Sequence, residues 1–281
     1  MTLVPTGELV AAAAHRHGAV AAVNVITLEH AEAICAAATS SNTPLILQIS
    51  ENAVKFHGGR LEPIATATAA LARLATVSIA LHLDHVTDER LVEQAAGVGF
   101  SSVMFDAGAL PYAENVARTA RAARIAHGSG LWVEAELGYV GGKANAPRSA
   151  HAAGVRTDPD EAVEYVASTG VDALAVAVGS SHAMTTRTAT LDTELISWLR
   201  DRLDVPLVLH GSSGVPDDEL RAAANAGIRK VNVGTALNVA MTHSIRESLA
   251  HDEKVVDPRR YLAPARDAMA ETVGRLLSVL P

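Results

Sequence analysis

The sequence is poor in cysteine, lysine and aromatic residues, and it holds no long apolar run. A single cysteine, Cys35, among 281 residues excludes a disulfide framework and a thiolate metal cluster. No basic run offsets the balance of 23 Lys and Arg against 31 Asp and Glu, a net charge of −8. That balance argues against nucleic acid or an anionic membrane as partner. No stretch approaches about 18 uninterrupted apolar residues, and the first residues lack the charged-then-apolar order of a secretory leader. The expectation is a soluble protein of a reducing compartment, the cytoplasm. Apolar residues at 49% and charged residues at 19% exclude disorder and fibrous repeats. Aromatics are only 3% and alanine is abundant, so the helices are expected to be small-faced and closely packed.

The length suits two average domains or one α/β barrel of about 250 residues. No linker or shift in composition divides the chain, so residues 1–281 read as one domain. Eight short, nearly continuous apolar runs recur, at 19–24, 44–49, 78–83, 101–106, 131–137, 172–179, 205–210 and 229–234. Such runs suit parallel strands covered on both faces. Helical patterns such as 87–97 and 112–127 lie between them, and Gly99, Gly128, Gly170 and Gly227 read as stops before the next strand. Strict alternation of eight strands with helices predicts a closed (β/α)8 TIM barrel. No G-x-G-x-x-G follows the first strand, which removes the main argument for a dinucleotide fold. Thr6 reads as the N-cap of an extra N-terminal helix, and 257–280 as a C-terminal helical tail. The segment 138–157 is the longest irregular stretch, of a length expected for a lid.

Active sites of such barrels sit at the C-terminal ends of the strands. There the third run ends in Asp84-His85, the fourth in Asp106 and the fifth in Glu134 and Glu136. The sixth leads to His182, and the seventh ends in His210-Gly211. One histidine alone is more often a cap or core residue, but three imidazoles from separate strands, flanked by carboxylates, suit a catalytic zinc. The other nine histidines read as ordinary, His82 included, although strand alternation points it the same way as Asp84. Gly211-Ser212-Ser213-Gly214 and Asn232-Val233-Gly234-Thr235 follow the seventh and eighth strands, where barrels commonly cradle phosphate. A metal beside a phosphate pocket suggests sugar-phosphate chemistry. A Schiff-base mechanism needs a desolvated lysine inside the barrel. Of the four lysines, Lys55 and Lys143 fall in loops, Lys254 near the tail, and Lys230 at the start of the eighth strand, away from the reactive rim.

Leu81-His82-Leu83-Asp84-His85, Val133-Glu134-Ala135-Glu136-Leu137-Gly138 and Leu207-Val208-Leu209-His210-Gly211 together resemble the class II, metal-dependent ketose-bisphosphate aldolases. The likeness is to the fructose and tagatose branch. Ser213-Gly214-Val215-Pro216 and Lys230-Val231-Asn232-Val233 extend it, and it covers essentially the whole chain.

The resemblance implies a zinc-dependent lyase that splits a ketose 1,6-bisphosphate into dihydroxyacetone phosphate and glyceraldehyde 3-phosphate. It implies zinc on His85, His182 and His210, with Asp84 as the acid/base at the C4 hydroxyl. Asp106 and Glu136 match a second, monovalent or divalent, cation position. Gly211, Ser212, Ser213, Asn232, Val233, Gly234, Thr235 and Ala183 match the dihydroxyacetone phosphate pocket, and Asn24 and Ser50 its polar lining. Arg259 matches an arginine that grips the far phosphate from a neighbouring subunit of a homodimer or homotetramer.

The sequence departs from the family at four places. Lys143-Ala144-Asn145 follows Gly141-Gly142 where acidic residues are usual, and Ala107-Gly108-Ala109 follows Asp106. Ala183 replaces a glycine and Thr27 an asparagine. A different phosphorylated ketose or keto-sugar acid, or a weakened sugar-phosphate binder, are the alternative readings.

Overall fold

The computed structural model describes residues 3–140 and 156–280. Its eight strands are β1 (Val20–Asn24), β2 (Leu45–Ser50), β3 (Ile79–Val86), β4 (Ser102–Phe105), β5 (Trp132–Leu137), β6 (Ala173–Val176), β7 (Leu207–Leu209) and β8 (Ile228–Val233). They pair in parallel in that order and close into a barrel, β8 bonding back to β1. The expected TIM barrel is the observed fold.

Helices follow every strand. After α1 (Thr6–His15) come α2 (Leu28–Ser41), α3 (Glu51–Phe56), α4 (Leu61–Leu74), α5 (Glu89–Ala95) and α6 (Tyr112–Gly128). Then come α7 (Pro159–Thr169), α8 (Thr193–Arg202), α9 (Asp217–Ala226), α10 (Thr235–His251) and α11 (Arg259–Val279). No helix among the described residues is long and apolar enough to cross a membrane.

Strand alternation divides the side chains into two populations. Leu45, Leu47, Ile79, Leu81, Val133, Leu174 and Val231 point outward and form the main apolar core with the alanine-rich helix faces. Inward, one end of the barrel is plugged by Val20, Ala22, Ile46 and Ala80 against Leu9, Val10 and Ala13 of α1. Ala173, Ala175 and Val208 pack there with Trp132. Above the plug the inward residues turn polar: Gln48, His82, Glu134 and Lys230, all buried.

One local expectation fails. Thr6 is the first helical residue and not the cap, which is Pro5. Its buried hydroxyl bonds Ser102 Oγ (2.5 Å), which ties α1 to β4 and leaves no oxygen aimed at the helix amides. Gly128 ends α6, as the sequence suggested, and the left-handed turn follows at Gly130, with φ 74°. The stretch 141–155, which holds most of the expected lid with Lys143 and His151, lies outside the described residues.

Candidate active site

The C-terminal ends of the strands surround a cavity of about 260 Å³. Of the residues singled out in the sequence, Asn24, Ser50, Asp84, His85, His182, Ala183, Gly211, Ser212, Ser213, Asn232, Gly234 and Thr235 line it. Val233 does not. Its side chain points outward into the apolar core, as alternation requires between inward Asn232 and Gly234. Arg259 is also outside the lining; its guanidinium is exposed and paired with Asp257 (2.7 Å). Gln48, Asn52 and Asn238 line the cavity without having been singled out.

His85, His182 and His210 converge, with ring centroids 5.0–5.7 Å apart. One donor atom each from these histidines and Glu136 lies within 4.8 Å of the others. Each imidazole also has a back side. His85 Nδ1 lies 2.9 Å from Asp106 Oδ2, which leaves Nε2 for the centre. His210 Nε2 lies 2.8 Å from Glu134 Oε1, and its Nδ1 faces Glu136 Oε2 at 2.9 Å. His182 Nε2 is buried without a hydrogen-bond partner among the described residues, and Glu136 Oε2, at 3.9 Å, is too far to satisfy it. A buried ring nitrogen with no partner, beside two other imidazoles and a carboxylate, fits a divalent metal. Asp106 and Glu136, expected at a second cation position, are engaged by His85 and His210 and act on this same cluster.

Asp84 stands beside the cluster, its Oδ2 3.9 Å from His85 Nε2. Gln48 Nε2 and Asn232 Nδ2 each approach it at 3.4 Å. Gln48 also donates to Asn24, which spans β1 to β3. Burial pushes the Asp84 carboxyl upward, but His85, His82 and His210 outweigh it and hold the group far below the usual carboxylate range. Burial likewise lowers His182. His210 responds oppositely: Glu134 and Glu136 overcome its burial and raise it to about 9 in the metal-free protein.

Beneath the cluster, Lys230 is fully buried in the barrel, its Nζ 2.8 Å from Glu134 Oε2. The sequence placed it away from the rim by its position in β8. Its four-carbon stem carries the ammonium inward to the polar layer, where Lys230 and Asn232 share one face. It is an ion-paired lysine and not a free amine. His82 is there too, its Nδ1 2.7 Å from Ser102 Oγ and its Nε2 3.7 Å from Asp84 Oδ1. Burial and the Lys230 charge lower its pKa.

Opposite the histidines, the turn Ser212–Gly214 and the start of α10 meet. Ser213 Oγ accepts from Ala236 N (3.0 Å). Gly211 takes φ 67°, and a Cβ there would stand 2.6 Å from the Ser181 carbonyl, so glycine is required for the close approach of the two loops. A helix start beside a tight turn of small residues suits a phosphate.

A closed parallel barrel with a histidine cluster able to hold a metal at the C-terminal ends of its strands has the architecture of a metal-dependent barrel enzyme. The model of the family "Fructose-bisphosphate aldolase class-II" matches residues 4–281, and the chain belongs to that metal-dependent family of aldolases. It is 38% identical to the fructose-bisphosphate aldolase of Geobacillus stearothermophilus over 274 residues, covering 97% of this chain and 95% of that one. It is likewise 38% identical to the fructose-bisphosphate aldolase of Staphylococcus aureus over 275 residues, at the same coverage. The crystal structure of the YdjI aldolase from Escherichia coli K12 superposes with a TM-score of 0.82 at 30% identity, covering 99% of this chain and 96% of that one.

Proposed function

We propose that this aldolase is zinc-dependent and reversibly cleaves a ketose 1,6-bisphosphate of the fructose or tagatose type. The observation that carries the reading is one cavity lined by His85, His182, Asp84 and the Gly211–Thr235 cradle, with His210 and Glu136 completing the donor cluster in its wall. His85, His182 and His210 hold the ion, with Glu136 at its side. When bound, zinc supplies Lewis-acid stabilisation of the charge that builds at the ketose carbonyl oxygen as C3–C4 breaks. Asp84, as its carboxylate, takes the proton of the C4 hydroxyl. The C4–O bond becomes the aldehyde carbonyl, and the C3–C4 electron pair stays with the three-carbon fragment. Ser212, Ser213, Gly234, Thr235 and the Ala183 backbone hold the C1 phosphate and so fix the reacting carbons. Asn24, Ser50 and Asn232 bind the substrate hydroxyls. The same reading makes the protein a cytoplasmic homodimer or homotetramer, with Arg259 presented to a neighbouring subunit's substrate.

A second reading is favoured by the cavity's polar character. Among the described residues no lysine or arginine lines it, and Asn52 and Asn238 add uncharged amides to the wall. That lining suits a ketose 1-phosphate whose far end is an uncharged polyol.

The test is release of dihydroxyacetone phosphate from fructose and tagatose 1,6-bisphosphate and from ketose 1-phosphates, with and without a chelator. Chelator-sensitive release from a bisphosphate is expected, and release from monophosphates alone selects the second reading. Asp84→Ala is expected to lower kcat about 10³-fold and retain its zinc. Turnover comparable to wild type would remove Asp84 from its role.

A further inference from the structure

Lysine is almost never fully buried unless paired, and a buried ion pair is weak evidence for stability. Lys230 and Glu134 are both fully buried in the barrel, one layer below the histidines. The ammonium has two partners: Glu134 Oε2 at 2.8 Å and Asn232 Oδ1 at 2.7 Å. Each contact fixes an orientation that the next residue passes to the active site.

Lysine has no acceptor, so the oxygen of the Asn232 amide must face it. The Asn232 NH2 is thereby turned up toward Asp84 Oδ1 (3.4 Å) and the cavity. Glu134 accepts from Lys230 with one oxygen, and its other oxygen lies 2.8 Å from His210 Nε2. Both ring nitrogens face a carboxylate, which only accepts; the Glu134 bond therefore holds a hydrogen on Nε2 and leaves Nδ1, beside Glu136 Oε2, as the nitrogen that can give up its hydrogen to a metal.

From this geometry we infer that Lys230 is a positioning residue for both halves of the site. Through Glu134 it selects the His210 tautomer that ligates metal, and through Asn232 it aims the amide donor that meets substrate. The inference rests on the zinc and substrate roles given above to His210 and Asn232.

Two dissociation constants and one spectrum test it. Zinc affinity is read by competition with a chromophoric chelator, and dihydroxyacetone phosphate affinity by calorimetry on zinc-loaded protein. Lys230→Met combined with Glu134→Gln removes both charges at similar volume, and circular dichroism and melting verify its fold. In that variant, zinc is expected to bind about 10–100-fold more weakly. Dihydroxyacetone phosphate is expected to bind about tenfold more weakly, and adding Asn232→Ala there to cost less than twofold. Either constant within twofold of wild type overturns the inference, as does an Asn232→Ala loss equal in the two backgrounds.

Imidazole ¹⁵N spectra of the zinc-loaded wild-type protein supply a readout that needs no variant. A hydrogen on His210 Nε2 is expected, and a hydrogen on Nδ1 overturns the inference. Failure of the wild-type protein to bind zinc or dihydroxyacetone phosphate strikes instead at the functional reading.

Discussion

Asp106 Oδ2 lies 2.9 Å from His85 Nδ1 and commits that nitrogen, so only Nε2 of His85 faces the other two imidazoles. Carboxylates behind ligating histidines fix ring rotation and raise basicity. Asp106→Ala is therefore expected to weaken zinc binding about 10–100-fold while leaving the barrel folded, because Asp106 is only half-buried at the strand end. Chelator competition measures it, and unchanged affinity would show that His85 is aligned by its own backbone.

That backbone is itself unusual. His85 and Ala183 both adopt left-handed conformations, with φ 50° and 59°. The left-handed region costs a non-glycine residue about 1–2 kcal/mol, whereas glycine adds about 0.4–1 kcal/mol of freedom to the unfolded chain. Ala183→Gly is expected to raise the melting temperature by roughly 1–2 °C and to lower KM by opening the cavity wall. A lower melting temperature would mean that the methyl makes a contact worth more than the strain.

The pH dependence follows from His210. Glu134 and Glu136 raise its pKa from 6.5 to about 9 without metal. A raised pKa stabilises the fold fully below pH 6.5, and that contribution is lost as pH climbs through about 9. Zinc needs the neutral ring, so loading releases a proton across the same window and affinity grows with pH. Chelator-treated protein is expected to melt progressively lower from pH 6.5 to 9, while the melting gain on adding zinc widens. A zinc-dependent gain that shrinks over this range would contradict the assignment.

The barrel and the upper tier of the site were legible in the sequence, because apolar strand runs end in Asp84-His85, Glu136 and His210 at one predictable rim. The middle tier was legible only in part: Glu134 stood out at the end of its strand, whereas His82 and Lys230 read as ordinary and Gln48 was not singled out. Gln48 shares a strand face with Ser50, and Lys230 with Asn232, so alternation carried the signal. Position along the strand was instead read as distance from the chemistry, a poor guide for a side chain with four methylenes. Val233 was assigned to the pocket as part of a motif, although alternation turns its side chain outward. Thr6 was read from local helix rules and lost to a tertiary bond with Ser102. Arg259, matched to the far phosphate by its motif, is exposed, paired with Asp257 and outside the cavity lining of this chain.

Leu9, Val10 and Ala13 of α1 close the barrel from below against Val20, Ala22, Ile46 and Ala80. This apolar floor separates the buried Lys230–Glu134 pair from solvent at that end, so the attraction between them is little screened. A helix that lines none of the cavity thus shapes the dielectric around the histidine cluster. Loosening α1 would wet the charge layer from the far end of the barrel and blur the orientation of His210, with every residue of the cavity still in place.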